Sequence, residues 1–171
     1  MKELIKYIIV TVITWEAKLI IRKHKPFIIG VTGNLGKTST KDSIAAALSD
    51  LSVRGTEKSQ NSEFGLPLTI IGEKSGWGNV FKWVYVIYRG VAVYFAKSYP
   101  KYLVLEIGAD HKGDIESVSK WLKTDITVLT QFSEIPVHVE NFANREELIR
   151  EKKYLVDSIK KGGLFVYNAD C

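Results

Sequence analysis

Short runs that are apolar at nearly every position alternate along this chain with longer segments whose apolar residues recur at helical spacing. "FIIGVT" (27–32), "YLVLEIG" (102–108), "ITVLT" (126–130) and "GLFVYN" (163–168) are the runs of strand length. A strand with one wet face alternates apolar and polar residues, whereas one covered on both faces reads as a continuous apolar stretch. Between them, Lys37 to Leu51 reads as a helix, and "GDIESVSKWLK" suits a helix beginning near Asp114. "NREELIREKKYLVDSIKK" (144–161) sets Leu148, Leu155 and Ile159 along one helical face. Strand and helix in alternation predict an α/β fold, a parallel sheet with helices on both faces. In such a sheet the turns that leave the strand C-termini collect the chemistry on one edge.

Two segments break the rhythm. The first 25 residues, "MKELIKYIIVTVITWEAKLIIRKHK", are apolar and end in the basic cluster Arg22-Lys23-His24-Lys25. The uncharged run Tyr7–Trp15 is too short for a hydrocarbon core of about 30 Å. The first expectation is an amphipathic helix packed on the domain. A helix lying in the membrane interface comes second, with its basic cluster against anionic lipid at the inner face, and a signal anchor third. Residues 75–99, "SGWGNVFKWVYVIYRGVAVYFAKSY", bring a second aromatic-rich apolar stretch interrupted by Lys82 and Arg89. An inserted helix whose aromatic face packs on the body, against the first helix, is expected there; a paired membrane-surface patch is the sharper alternative.

Composition narrows the class. The chain has 171 residues with 46% hydrophobic and 25% charged content, enough for one sizeable core and too apolar for disorder. A net charge of +5 admits an anionic partner, although surface lysines alone account for it. With no arginine-rich arm and no RNA-binding aromatic signature, nucleic acid is not expected. A single cysteine, Cys171, forms no internal disulfide, which fits a reducing, cytoplasmic setting.

The chemistry announces itself in "GVTGNLGKTSTKD" (30–42), which joins the first strand to a helix. Gly33 and Gly36 allow a tight turn whose N–H groups face inward, and the helix beginning at Lys37 adds the positive end of its dipole. Gly33, Asn34, Leu35, Gly36, Lys37, Thr38 and Ser39 are therefore the candidate phosphate-binding residues, with Lys37 reaching the β- and γ-phosphates and the Thr38 hydroxyl on Mg²⁺. The strict G-x-x-x-x-G-K spacing fails, because Val31 holds the first glycine slot and Gly30 comes one residue early. A P-loop NTPase-like sheet that binds ATP with Mg²⁺ is expected.

The displaced glycine resembles the pattern of the Mur ligases, the ATP-dependent amide-forming enzymes of peptidoglycan precursor synthesis. "NSEFGLPLTI" (61–70) is similar to a segment of the family's D-alanyl-D-alanine-adding member. "LEIGADHKGDI" (105–115), "PVHVENF" (136–142) with Lys152, and "YNAD" (167–170) resemble later family motifs, in the same order. The resemblance implies a helix at 1–25 followed by a partial central ATP-binding domain at 26–171 with the insert at 75–99. It also implies that the chain is an N-terminal fragment of a longer ligase and inactive alone. It implies catalysis through an acyl phosphate by Lys37, Glu106, His138 and Lys152. Thr38, Glu106, His138 and Lys152 would serve the Mg²⁺ ions, Lys152 as a carbamate in many members. Asn61, with the turn at Gly65-Leu66-Pro67, would shape the substrate side, where a cell-wall precursor carboxylate meets an amino acid or dipeptide. Asp110, His111, Asn168 and Asp170 receive no role.

Three alternatives stand beside this reading. A folylpolyglutamate synthase would carry G-K-G-S where this chain has Lys37-Thr38-Ser39, and a GTPase would carry an N-K-x-D that is missing here. A non-catalytic ATP-binding module at the membrane surface remains the alternative of a different class.

Overall fold

The computed structural model describes residues 2–57, 64–76, 79–109, 111–131, 142 and 144–169. Five parallel strands form one sheet in the order β2-β3-β1-β4-β5: β1 Phe27–Thr32, β2 Val53–Gly55, β3 Tyr102–Glu106, β4 Thr124–Leu129 and β5 Ile159–Tyr167. The helices are α1 Lys2–His24, α2 Lys37–Ala47, α3 Gly65–Ile71, α4 Val80–Phe95, α5 Asp114–Ser119 and α6 Arg145–Val156. The parallel sheet anticipated from the continuous apolar runs is present.

Successive side chains of a strand point to opposite faces, and the two cores follow that alternation. Ile29 and Val31 of β1 and Val104 of β3 pack with Ile44 and Ala45 from α2 and with Leu48 just beyond it. Ile28, Leu103 and Leu105, one residue out of step, join the larger core on the opposite face. That core takes Ile13, Ala17 and Ile20 from α1, all of α3's aliphatics, and Val86 and Val93 from α4. The first helix thus packs its Ile13–Ala17–Ile20 side onto the body, beside α4. No helix among the described residues is long and apolar enough to cross a membrane.

Several boundaries differ from the sequence reading. The second helix ends at Ala47 rather than Leu51, its last carbonyls closed by Leu48 N–H to Ile44 O at 3.1 Å. Ile159 belongs to β5, paired with Thr124, and not to the preceding helix. The cause is the Ser158 hydroxyl, which donates to Leu155 O at 2.7 Å and closes the helix before Ile159. The fourth predicted strand therefore starts at 159 instead of 163, with a register irregularity between Thr124 and Ile126. Gly65, Leu66 and Pro67 form the buried first turn of α3. Proline at that point loses no helix hydrogen bond.

Candidate active site

Thr32 closes β1, and the chain turns through Gly33 to Gly36 before α2 begins at Lys37. Gly33 has φ +146°, and a Cβ there would lie 1.9 Å from Thr130 Oγ1 at the end of β4. Only glycine fits. Thr130 secures the loop, its hydroxyl donating to Leu35 O at 2.6 Å, while Asn34 N–H donates to Gln131 O at 3.0 Å. Gly36, at φ +79°, is the N-cap of α2 and supplies no capping side chain. The first N–H groups of an uncapped helix seek an outside acceptor, and an anion is the usual one. A Cβ on Gly36 would meet nothing within 4 Å, so this helix end is open.

Side chains from three other segments converge here. Lys37 Nζ folds onto its own loop, donating to Asn34 O at 3.1 Å. The Thr38 hydroxyl donates to Glu106 Oε2 at 2.9 Å, joining the start of α2 to the end of β3. Glu106 is nearly buried, and its backbone N–H is held by Thr56 Oγ1 at 3.0 Å. Thr56 is fixed in turn by the buried Lys41, whose Nζ reaches Thr56 O at 2.6 Å and Asp42 at 2.7 Å. From α6, the buried Lys152 donates to Gly33 O at 2.9 Å. Burial, with the neighbouring Lys37 charge, pulls the Lys152 pKa down to about 8, against an opposing pull from Glu151.

The buried carboxylate of Glu151 accepts from the N–H groups of Gly113, Ile115 and Glu116 at 3.0, 2.6 and 3.0 Å. It therefore caps α5 from the neighbouring helix and ties the loop after Glu106 to the element that carries Lys152.

Of the residues anticipated from sequence, Gly33, Asn34, Leu35, Gly36, Lys37, Thr38, Glu106 and Lys152 lie at this one edge. Ser39 is on α2 and exposed, as is His111, whose N–H donates to Asp114 Oδ2 at 2.7 Å. Asn168 follows β5 and is exposed. Asn61, His138, Asp110, Asp170 and Cys171 lie outside the described residues. Sequence reasoning missed Lys41, Thr56, Thr130 and Glu151. Each acts through a tertiary hydrogen bond, for which no local pattern exists.

Among the described residues no cluster of three His, Cys, Asp or Glu side chains is present. Thr38 and Glu106 nonetheless offer two oxygen donors side by side at the mouth of the loop. Mg²⁺ prefers such oxygens and leaves its other positions to water and phosphate, so these residues fit it.

Residues 90–171 match the family model of the Mur ligase middle domain. Just under half of the chain is thus similar to a Mur ligase middle domain. Its similarity to UDP-N-acetylmuramoyl-tripeptide--D-alanyl-D-alanine ligase of Bacillus subtilis (strain 168) is 28% identity over 155 residues, 90% of this chain and 28% of that protein. The ligase of the same name from Mycobacterium tuberculosis (strain ATCC 25618 / H37Rv) is 31% identical over 144 residues, 84% of this chain and 23% of that one. A crystal structure of MurF ligase from Thermotoga maritima in complex with ADP superposes with TM-score 0.70 at 26% identity, covering 95% of this chain and 32% of the other. MurF from Acinetobacter baumannii, at TM-score 0.68 and 22% identity, covers 91% and 29% and shares the fold. The chain thus spans less than a third of the length of these relatives.

Proposed function

We propose that this chain, as a Mur ligase middle domain, binds ATP with Mg²⁺ on the 33–38 loop. In its whole protein it would drive formation of an amide bond between D-alanyl-D-alanine and a UDP-N-acetylmuramoyl-tripeptide, the reactants in its relatives' names. The observation that carries the reading is the Thr38–Glu106 hydrogen bond of 2.9 Å at the mouth of a loop flanked by Lys37 and Lys152. A nearly buried carboxylate at a strand end is costly without a partner, and a metal-bound nucleotide is the partner this edge is shaped to take.

A carboxylate is a poor acyl donor because its oxygen leaves badly. Its attack on the γ-phosphorus of ATP forms an acyl phosphate as the bond to the β-phosphate oxygen breaks and ADP departs. The amine then attacks the acyl carbon, phosphate leaves, and the nitrogen gives up a proton. Charge gathers on the transferring phosphoryl oxygens, so aligned donors and cations do most of the work. The Lys37 ammonium and the N–H groups at the start of α2 supply them. Thr38 and Glu106 would hold Mg²⁺, which neutralises phosphate charge when bound. His138 is proposed for a second metal ion and Asn61 for the substrate side.

Lys152, with a pKa near 8, keeps a usable fraction of neutral amine at neutral pH, the form that adds CO₂. Its carbamylation would turn a cation into an anion beside the loop. We assign residues 1–25 to a helical strap on the nucleotide-binding body at 26–171, with α4 as the insert.

The whole protein, assayed for phosphate release from ATP, is expected to turn over only when both the muramoyl tripeptide and D-alanyl-D-alanine are present. ATP turnover indifferent to both compounds would remove the ligase reading and leave a nucleotide-binding module.

A further inference from the structure

The fourth helix is apolar on the side it buries and again on the side it shows. Val86, Gly90 and Val93 face the body. Phe81, Val84, Tyr85, Tyr88, Val91 and Phe95 form an outward stripe at helical spacing, Phe81 86% and Phe95 71% exposed. A surface helix ordinarily carries charge on that side. The stripe runs for about 24 Å along the 16-residue helix.

A basic cleft of about 520 Å³ follows where α4 ends, lined by His24, Lys25, Lys97, Tyr99 and Lys101 among others, with no acidic residue. None of these three lysines is in an ion pair with a described residue. Lys23, next in the chain to His24 of the cleft, holds its ammonium 5.5 Å from the Phe95 ring centroid. Helix α4 contains no Asp or Glu, and its one arginine, Arg89, is held by Glu73 at 2.8 Å.

We infer that the α4 stripe and the Lys25–Lys97–Lys101 cleft form a docking face for an anionic lipid bilayer, with the stripe in the interface and phosphate headgroups in the cleft. Tyrosine and phenylalanine on one helix side with lysines at its end are the composition of an interfacial helix. Two copies meeting through this face would bring like-charged lysines together, with no acidic residue in stripe or cleft to offset them. The lysines precede β1 and β3, whereas the phosphate loop follows β1 and Glu106 ends β3, so lipid and nucleotide occupy opposite sheet edges. The inference adds the inserted helix to the membrane contact expected of the first helix, which buries its Ile13–Ala17–Ile20 side and exposes Leu4, Tyr7, Ile8 and Trp15.

The test is co-flotation of the full chain with vesicles of phosphatidylcholine alone or mixed with phosphatidylglycerol. Wild type is expected on the mixed vesicles and not on the neutral ones. K97Q/K101Q should bind more weakly by roughly a factor of five per lysine, and F81S/Y88S should lose binding. Circular dichroism and an unchanged melting midpoint establish that the variants fold, as expected for substitutions at exposed positions. Equal flotation with both vesicle types, or none with either, overturns the inference. So does a wild-type dimer in sedimentation that F81S/Y88S converts to monomer, because the stripe would then be an interface between copies.

Discussion

Replacing Gly33 with alanine probes the loop most sharply. The new Cβ would stand 1.9 Å from Thr130 Oγ1 and 3.1 Å from Thr130 N, on a backbone at φ +146°. That conformation costs an L-residue about 1–3 kcal/mol. Relieving the clash expels the Thr130 hydroxyl, whose single proton is shared between Leu35 O at 2.6 Å and Thr32 O at 3.2 Å, a further loss of about 1 kcal/mol. G33A should therefore be about 2–4 kcal/mol less stable, a large part of the about 5–15 kcal/mol that holds a domain together. Gly36 is the internal control: its φ is +79° but its Cβ would meet open space, so G36A should lose only about 1–2 kcal/mol. Urea unfolding of both variants, of T130A and of G33A/T130A measures the terms separately. The double variant should lose clearly less than the sum of the singles. If G33A unfolds no more readily than G36A, or the G33A and T130A effects simply add, the loop is not pinned as described.

Three other substitutions test the surroundings. E151A removes the acceptor of three N–H groups at the start of α5 and should destabilise by about 2–3 kcal/mol in the same unfolding assay. Glu16, buried against Gly90 with Oε2 unpartnered, has its pKa pushed up to about 7 by burial. The folded state then binds more protons than the unfolded state between about pH 4.5 and 7, so wild type should lose stability as pH rises through that window, whereas E16Q should not. Lys152 shifts the other way: with the folded pKa near 8 and the usual value at 10.5, the unfolded chain holds the extra proton between them. Wild type should gain stability relative to K152M as pH rises from about 8 to 10.5, by no more than about 1.4 kcal/mol per unit, read from unfolding curves at stepped pH.

Much of this was legible because single residues impose it. The continuous aliphatic run Phe27–Thr32 suits a strand covered on both faces, although the similar run in β5 is largely exposed, and the glycines at 33 and 36 mark conformations other residues resist. The three-residue strand β2 exists only through pairing with β3, so Val53-Arg54-Gly55 carries no signature of its own. Ile159 fits a helical face by spacing, and only the Ser158 hydroxyl turning back on Leu155 decides against it. Glu151 and Lys41 sit on helix surfaces in the sequence and become buried by neighbours distant along the chain. On α4, the aromatic face expected against the body is the one left exposed, and the small Val86, Gly90 and Val93 are buried in its place.

Calorimetric titration of the folded chain with ADP, with and without Mg²⁺, tests the central claim directly. The account predicts saturable binding that Mg²⁺ strengthens in wild type but not in E106Q, and that K37A greatly weakens. Equal binding with and without the metal in wild type, or undiminished binding by K37A, would contradict the assignment of this loop to a magnesium nucleotide.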